Sequence, residues 1–117
     1  MIVEDDSALG MMYKAKLESV GYEIILADNG SDAIKIAQED SADLILLDVI
    51  IPQLDGFSVL TELKKNPKTK GIPVIMSTNL GTDEDRKKGE SLGAVDYLVK
   101  SNFTPEELSK IIEKYLK

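Results

Sequence analysis

Five chemically versatile side chains each lie at the end of an apolar run of this chain: Glu4, Asp5, Asp48, Thr78 and Lys100. Carboxylate oxygens are the ligands that Mg²⁺ prefers, and a carboxylate can also attack phosphorus to form an acyl phosphate. A metal ion or an ammonium group offsets the charge of a transferring phosphoryl group. These residue types therefore predict a site for a divalent cation and a phosphoryl group.

The three acids predict the metal ligands. Mg²⁺ takes about six oxygens at ~2.0–2.1 Å and keeps several waters, so two or three carboxylates suffice. We expect Asp5 and Asp48 to bind Mg²⁺ directly, with Mn²⁺ as the alternative ion, and Glu4 to act through water. The backbone carbonyl of Ile50 would complete the protein ligands. Because crowded carboxylates repel one another, at least one of their pKa values should rise without the metal. The simpler interpretation is a set of solvent-facing acids at strand ends.

Asp48 is the candidate nucleophile, and two other strand ends supply its candidate partners. Lys100 ends an otherwise apolar strand, which favours a role in pairing with phosphate. The Thr78 hydroxyl either donates to a phosphoryl oxygen or is satisfied locally in a turn. Ser77 is its rival, because strand alternation points the two side chains to opposite faces. Tyr97 lies on the opposite side of its strand from Lys100, either as a packing aromatic or as part of a switch.

Composition excludes several kinds of chemistry. The length of 117 residues predicts one domain, residues 1–117, and the 43% hydrophobic content is enough for a core. The chain has no cysteine and no histidine, which excludes disulfides and the commonest transition-metal ligand and fits a reducing, cytoplasmic location. A net charge of −7 argues against direct nucleic-acid binding. No apolar run reaches ~18 residues and no signal peptide is visible, so we expect no membrane association.

Apolar strands alternate with amphipathic helical segments along the whole chain. Strands are predicted at residues 1–3, 22–27, 44–47, 74–76 and 95–99, mostly as the continuous apolar runs typical of a parallel sheet covered on both faces. The fourth strand is expected to run on to Thr78. Right-handed crossovers then give an α/β, doubly wound fold. Ligands of such folds bind beyond the carboxyl ends of the strands, where all five candidate side chains fall.

Local signals predict the helix boundaries. Thr104 before Pro105 is typical of an N-cap, and Ser7 is predicted to cap the first helix. Gly21 and Gly93 are predicted to end the first and fourth helices in the left-handed conformation. Two dipeptides predict turns: Asn29-Gly30 and Asp55-Gly56.

The fourth helical segment, residues 82–92, is unusual because it is almost entirely charged. It offers little apolar surface besides Leu92, and Gly89 lies in its middle. A glycine within a helix costs about 1 kcal/mol relative to alanine. We expect this helix to be the least firmly anchored, and a merely solvated helix is the equally weighted alternative.

Four segments together resemble the receiver domain of bacterial two-component response regulators: VEDD at 3–6, LLDVIIPQLDG at 46–56, IPVIMST at 72–78 and GAVDYLVK at 93–100. The resemblance covers essentially the whole chain. It implies a flavodoxin-like (βα)5 fold with a five-stranded parallel sheet in the strand order 2-1-3-4-5. It also implies a phosphoacceptor signalling domain, which catalyses only its own phosphorylation and dephosphorylation.

The resemblance further implies residue roles. Asp48 would take a phosphoryl group from a phosphohistidine of a sensor histidine kinase or phosphotransfer protein, and Glu4 and Asp5 would be the acidic pair that binds Mg²⁺. Thr78 would be the switch hydroxyl, Lys100 the phosphate-pairing lysine and Tyr97 the switch aromatic. The fourth helix, fifth strand and fifth helix would form the output face toward a downstream effector protein or domain, and a homodimer through that face is a further expectation.

Four residues differ from what is usual in the receiver-domain family, and they predict differences in loop mobility, in the phosphoryl pocket and in the rate of dephosphorylation. Ser101 follows Lys100 where the family usually has proline, so we expect a more mobile loop there. Asn79 stands where a small residue is usual and is expected to crowd the phosphoryl pocket. Ile50 and Leu80 are apolar at the two positions that flank the attacking water in this family, which predicts slow self-dephosphorylation.

Three rival functions are weaker. A phosphohydrolase of the haloacid dehalogenase kind normally needs a second acid two residues after the nucleophile, but this position is Ile50. An interaction module without phosphotransfer would not need the intact set of acids, hydroxyl and lysine. A nucleotide-binding flavodoxin-like protein would need a glycine-rich phosphate loop after the first strand, and none is present.

Overall fold

The computed structural model describes residues 1–40, 42–79 and 81–116. Its strands are β1 (Ile2–Val3), β2 (Leu26–Ala27), β3 (Ile45–Asp48), β4 (Val74–Thr78) and β5 (Asp96–Val99). Its α-helices are α1 (Ser7–Ser19), α2 (Gly30–Glu39), α3 (Gly56–Lys65), α4 (Asp83–Ser91) and α5 (Pro105–Leu116). A short 3₁₀ turn, Lys100–Asn102, follows β5.

The strands form one parallel sheet in the order β2-β1-β3-β4-β5, which confirms the predicted doubly wound, flavodoxin-like fold. The register aligns Asp48 with Ser77 and Thr78 with Val99. β2 is shorter than the predicted 22–27, because β1 pairs only with Leu26 and Ala27.

Two apolar layers cover the two faces of the sheet. One layer packs α2 and α3 on alternate strand residues, including Leu47, Met76 and Tyr97. The other packs α1 and α5 on the intervening residues, including Leu46 and Ile75. Burial on both faces explains the continuous apolar runs in the sequence.

Side-chain caps begin several helices next to the strand ends. Thr104 and Glu107 form the predicted capping box, with hydrogen bonds of 3.2 and 3.1 Å. The predicted cap at Ser7 is wrong, since Asp6 accepts the hydrogen bond from the Leu9 N–H. Asn29-Gly30 and Asp55-Gly56 are helix starts instead of free turns, because the asparagine and aspartate cap α2 and α3.

Glycines end two helices as predicted. Gly21 and Gly93 both have φ of +105°, a left-handed conformation that favours glycine.

No helix within residues 1–40, 42–79 and 81–116 is long and apolar enough to cross a membrane.

α4 has the weak apolar face that the sequence predicts. Gly89 is its only buried residue, and the helix lies beside β5. The Lys88 ammonium also lies 4.5 Å from the ring centroid of Phe57 in α3, a cation–π contact. α4 is therefore held by close backbone approach and surface contacts more than by large apolar side chains.

Candidate functional site

Lys100 joins two acids from separate strands at the carboxyl end of the sheet. Its ammonium donates to Glu4 Oε2 at 2.6 Å and to Asp48 Oδ2 at 2.8 Å. All three side chains are nearly buried, with exposed fractions of 7% for Lys100, 3% for Glu4 and 6% for Asp48. Residues far apart in the chain thus form one buried charged cluster.

The backbone around Asp48 holds its carboxylate in place. Asp48 is the last residue of β3, and the N–H of Ile50 donates to its second oxygen, Oδ1, at 3.2 Å. The N–H of Gly56 donates to the Val49 carbonyl at 2.7 Å, so that α3 begins directly beside the strand end. A Cβ atom at Gly56 would overlap the Asp48 backbone oxygen, so only glycine allows this approach.

The turn between β1 and α1 holds Glu4. Its Oε1 accepts a hydrogen bond of 3.1 Å from the N–H of Asp6, the residue that caps α1. With Oε2 on Lys100, both oxygens of the buried Glu4 carboxylate have partners. Hydrogen bonds of this kind offset the free energy of burying a charge.

Asp5 completes an acidic group that could hold a metal ion. Ligand oxygens of Glu4, Asp5 and Asp48 all lie within 4.8 Å of one another. Asp5 is exposed whereas the other two are buried, so the group opens to solvent on one side. An all-oxygen set of this kind suits Mg²⁺ or Mn²⁺.

Burial and the neighbouring charges shift the pKa values of Glu4 and Lys100. Burial raises the pKa of Glu4, the hydrogen bond from Lys100 lowers it, and the charge of Asp48 raises it further. The expectation that one acid rises in pKa is thus met at Glu4, with burial as the larger cause. Burial alone would lower the pKa of Lys100, but the hydrogen bonds and charges of Asp48 and Glu4 raise it above its usual 10.5.

Thr78 is the last residue of β4, the strand next to β3, and is buried, with 3% of its surface exposed. Strand alternation puts it on the same sheet face as Met76 and the neighbouring Tyr97. Ser77 precedes Thr78 in β4 and therefore points to the opposite face of the sheet; it is aligned with Asp48 and is equally buried.

Tyr97 points inward and is 2% exposed. Its hydroxyl is buried and makes no well-formed hydrogen bond among the residues that the structure describes. Burial raises the pKa of this phenol and the charge of Asp85 adds to the shift, whereas the nearby Thr78 side chain opposes it. The full burial of Tyr97 is compatible with both roles that the sequence left open, a packing aromatic and part of a switch.

The structure describes three of the four residues that depart from the pattern of the resembled family. The Ile50 side chain is 70% exposed, and its backbone carbonyl stays a predicted metal ligand. Asn79 is exposed, and the Lys100–Asn102 turn contains Ser101. Leu80 lies outside the described residues.

Sequence reasoning missed three positioning residues. Asp6 fixes Glu4 through its backbone, Gly56 packs on the Asp48 carbonyl, and Gly89 packs on Tyr97. A glycine directly after an aspartate and a glycine inside a charged helix were visible signals of close backbone approach. The identity of the approaching residue depends on tertiary contacts that no local pattern shows.

The chain is similar to known proteins along almost its whole length. The family model for the response regulator receiver domain matches residues 1–113. A probable transcriptional regulator ycf27 of Cyanophora paradoxa is 39% identical over 117 residues, which are 100% of this chain and 47% of that protein. The chain therefore spans about half the length of the curated relatives it matches.

Two solved structures are similar to this one and hold metal ions. The receiver domain of the sensor histidine kinase PA1611 from Pseudomonas aeruginosa has magnesium in its active-site cleft, at 31% identity, a TM-score of 0.88, and coverage of 98% of this chain and 93% of that one. The Mn²⁺-bound response regulator Rcp1 has 30% identity and a TM-score of 0.80, with coverage of 97% and 87%.

Proposed function

Because this chain belongs to the response regulator receiver domain family, we propose that Asp48 accepts a phosphoryl group from a phosphohistidine of a sensor histidine kinase or phosphotransfer protein. The observation that carries the proposal is the buried Lys100 ammonium, which lies within hydrogen-bond distance of both Asp48 and Glu4. Phosphorelay signalling is the general role of this family. The chain is then a phosphoacceptor and not an enzyme for other substrates.

The acidic group supports a divalent ion as the cofactor. Asp5 and Asp48 would bind Mg²⁺ directly, or Mn²⁺ in its place, with Glu4 acting through water and the Ile50 carbonyl as a further ligand. The bound ion would neutralise negative charge on the phosphoryl group. Glu4, Asp5 and Asp48 are close enough to share one ion, and their oxygens are the right donors for it.

The transfer step itself uses the side chains of the cluster. A carboxylate oxygen of Asp48 bonds to phosphorus while the P–N bond of the phosphohistidine breaks. The bonding electron pair returns to the imidazole, which leaves in its neutral form because the other ring nitrogen carries the proton. Lys100 would follow the negative charge from the carboxylate to a phosphoryl oxygen, and the Thr78 hydroxyl would donate to another.

The phosphoryl group would then change the output face, which consists of α4, β5 and α5. It adds about −1.5 to −2 charge at Asp48, and Thr78 would move toward it. The Tyr97 hydroxyl is near Thr78, and the ring lies under weakly anchored α4. A downstream effector protein or domain would read the altered face, or a second copy of the chain would pair there.

Intact mass spectrometry tests the phosphoacceptor. The protein is incubated with Mg²⁺ and acetyl phosphate or phosphoramidate, and we expect one phosphoryl adduct that hydroxylamine removes. Asp48→Asn should abolish the adduct, whereas the matched change Asp40→Asn at an exposed helix end should retain it. An adduct on Asp48→Asn would mean that another residue accepts the phosphoryl group. No adduct on the unchanged chain would favour an interaction module without phosphotransfer.

Amide exchange tests the output face separately. Residues 83–91 should exchange at a different rate with beryllofluoride and Mg²⁺ than without them, because α4 has few buried contacts to lose. Identical exchange in both states would reject the proposed change in α4.

A further inference from the structure

α4 approaches the sheet through glycines. A Cβ atom built at Gly89 would lie 3.1 Å from Tyr97 Cδ2, 3.6 Å from Cε2 and 3.7 Å from Met76 Cγ. Just before the helix, a Cβ at Gly81 would overlap the Val99 side chain. Both neighbours, Tyr97 and Val99, are on β5. The distance between α4 and β5 is therefore set by the absence of side chains at these two positions.

Gly89 of α4 lies against the Tyr97 ring, which is also packed in the apolar layer on this face of the sheet. The Tyr97 hydroxyl lacks a well-formed hydrogen bond within the described part of the chain, and Arg86 lies over the ring at 5.6 Å from its centroid. A cation–π contact at this distance is weak and tolerates movement of the ring. The space that Gly89 leaves open is therefore one of the features that allow the ring to lie inward.

We propose that Gly89 is a positioning residue that keeps the Tyr97 ring inward and thereby sets how readily the output face responds to Asp48. This inference rests on the proposed function. Glycine is otherwise a poor choice here, because alanine favours a helix interior. A glycine at the one buried position of a helix is explained by close packing against another residue.

An added methyl group at position 89 has two opposite effects: it crowds the Tyr97 ring, and it favours the helical backbone. Carbon atoms prefer separations of about 3.5–4.0 Å, so a Cβ at 3.1 Å forces the ring or the helix to give way. The ring is the softer partner because its hydroxyl makes no well-formed hydrogen bond to any of the described residues. Gly89→Ala should therefore displace Tyr97 outward while it strengthens the helix itself.

Fluorine NMR of protein labelled with 3-fluorotyrosine tests the proposal in the unphosphorylated state. The Tyr97 resonance is assigned by its loss in Tyr97→Phe, and solvent access is read from its relaxation by a gadolinium chelate. We expect Gly89→Ala to shift the resonance and to increase its relaxation by the chelate, because a Cβ at 3.1 Å from the ring requires the ring to give by a few tenths of an ångström. The matched control is Gly71→Ala, since an added Cβ at exposed Gly71 meets no atom within 4 Å. An unchanged Tyr97 signal in Gly89→Ala overturns the proposal.

A second variant covers the case in which Gly89→Ala does not fold. Tyr97→Leu is added to Gly89→Ala, because the smaller leucine side chain removes the close contact with position 89. The double variant with both changes should fold and melt cooperatively. A double variant as defective as Gly89→Ala alone overturns the proposal.

The outcome is distinguishable from failure of the proposed function. If Gly89→Ala moves the ring but the unchanged chain forms no acyl phosphate, Gly89 positions Tyr97 and the phosphoacceptor assignment fails. If the adduct forms and the ring does not respond to Gly89→Ala, only the role of Gly89 is rejected.

Discussion

The Lys100 ammonium lies 2.6 Å from Glu4 Oε2, although the two residues are 96 positions apart in the chain. The same ammonium reaches Asp48 at 2.8 Å and is nearly buried between the two acids. Lys100 is thus the internal counter-ion of the acidic group. A divalent ion that binds the same carboxylates has to compete with this ammonium, because both are stabilised by the same negative charge.

Replacing Lys100 should raise Mg²⁺ affinity and lower stability. Lys100→Met leaves Glu4 and Asp48 buried without a counter-charge, which typically costs about 3–5 kcal/mol. Urea unfolding should show this loss without Mg²⁺ and a partial recovery with it, and calorimetric titration should show tighter Mg²⁺ binding. Lys14→Met is the matched control, since Lys14 forms a partly exposed pair of 3.9 Å with Glu18, a kind of ion pair that contributes little to stability. Weaker Mg²⁺ binding in Lys100→Met would contradict the counter-ion role.

The strands and the rim of the site could be predicted because their signals are local. Apolar runs that end in Asp48 or Lys100 mark the carboxyl ends of strands, and a parallel sheet brings those ends together. The strand order came from the family resemblance and not from periodicity. The structure confirms it.

Details that depend on tertiary contacts were not predictable. Ser7 and Asp6 are both good N-caps in sequence, and the structure selects Asp6, whose N–H also binds Glu4. Nothing local shows that Lys100 reaches Glu4 as well as Asp48. The role of Gly89 was likewise hidden, because a glycine within a helix looks only unfavourable until its neighbour Tyr97 is known.

Stability should fall at alkaline pH partly through Tyr115. Its hydroxyl donates to Asp96 Oδ2 at 2.8 Å, which ties α5 to the start of β5. This hydrogen bond is the main reason that the pKa of Tyr115 is raised above its ordinary 10.0. Above that ordinary value the unfolded chain loses the proton first, so the free energy of unfolding decreases until pH passes the raised folded pKa. Below pH 10.0 this contribution is fully present.

The test compares urea unfolding of the unchanged chain and Tyr115→Phe across this pH range. The variant should lose about 0.5–1.5 kcal/mol near neutral pH, the typical net value of one hydrogen bond. Its stability should also fall less steeply above pH 10.0. In Asp96→Asn, absorbance titration should find Tyr115 ionising at lower pH. Equal alkaline slopes for Tyr115→Phe and the unchanged chain would count against this account.

Gly56→Ala should distort the end of β3 that carries Asp48. The added Cβ would overlap the Asp48 backbone oxygen and lie 2.8 Å from Val49 Cα, and both of these are backbone atoms that cannot rotate away. Overpacking of this kind typically costs about 1–3 kcal/mol. We expect a lower urea midpoint and slower formation of the acetyl phosphate adduct, with Gly71→Ala unaffected in both. A normal adduct rate in a fully folded Gly56→Ala would show that α3 does not position Asp48.

Self-dephosphorylation should be slow because of Ile50. Its hydrocarbon side chain is 70% exposed at the rim of the acidic group, two residues beyond Asp48, and it has no atom that can orient an attacking water. Ile50→Asn supplies an amide there and should shorten the acyl-phosphate lifetime by up to about tenfold, equivalent to about 1.4 kcal/mol. The lifetime is measured by intact mass after the phosphate donor is removed. The matched control is Ile50→Val, which keeps a hydrocarbon side chain and should leave the lifetime unchanged. An unchanged or longer lifetime in Ile50→Asn would mean that another residue of the site sets the rate of self-dephosphorylation.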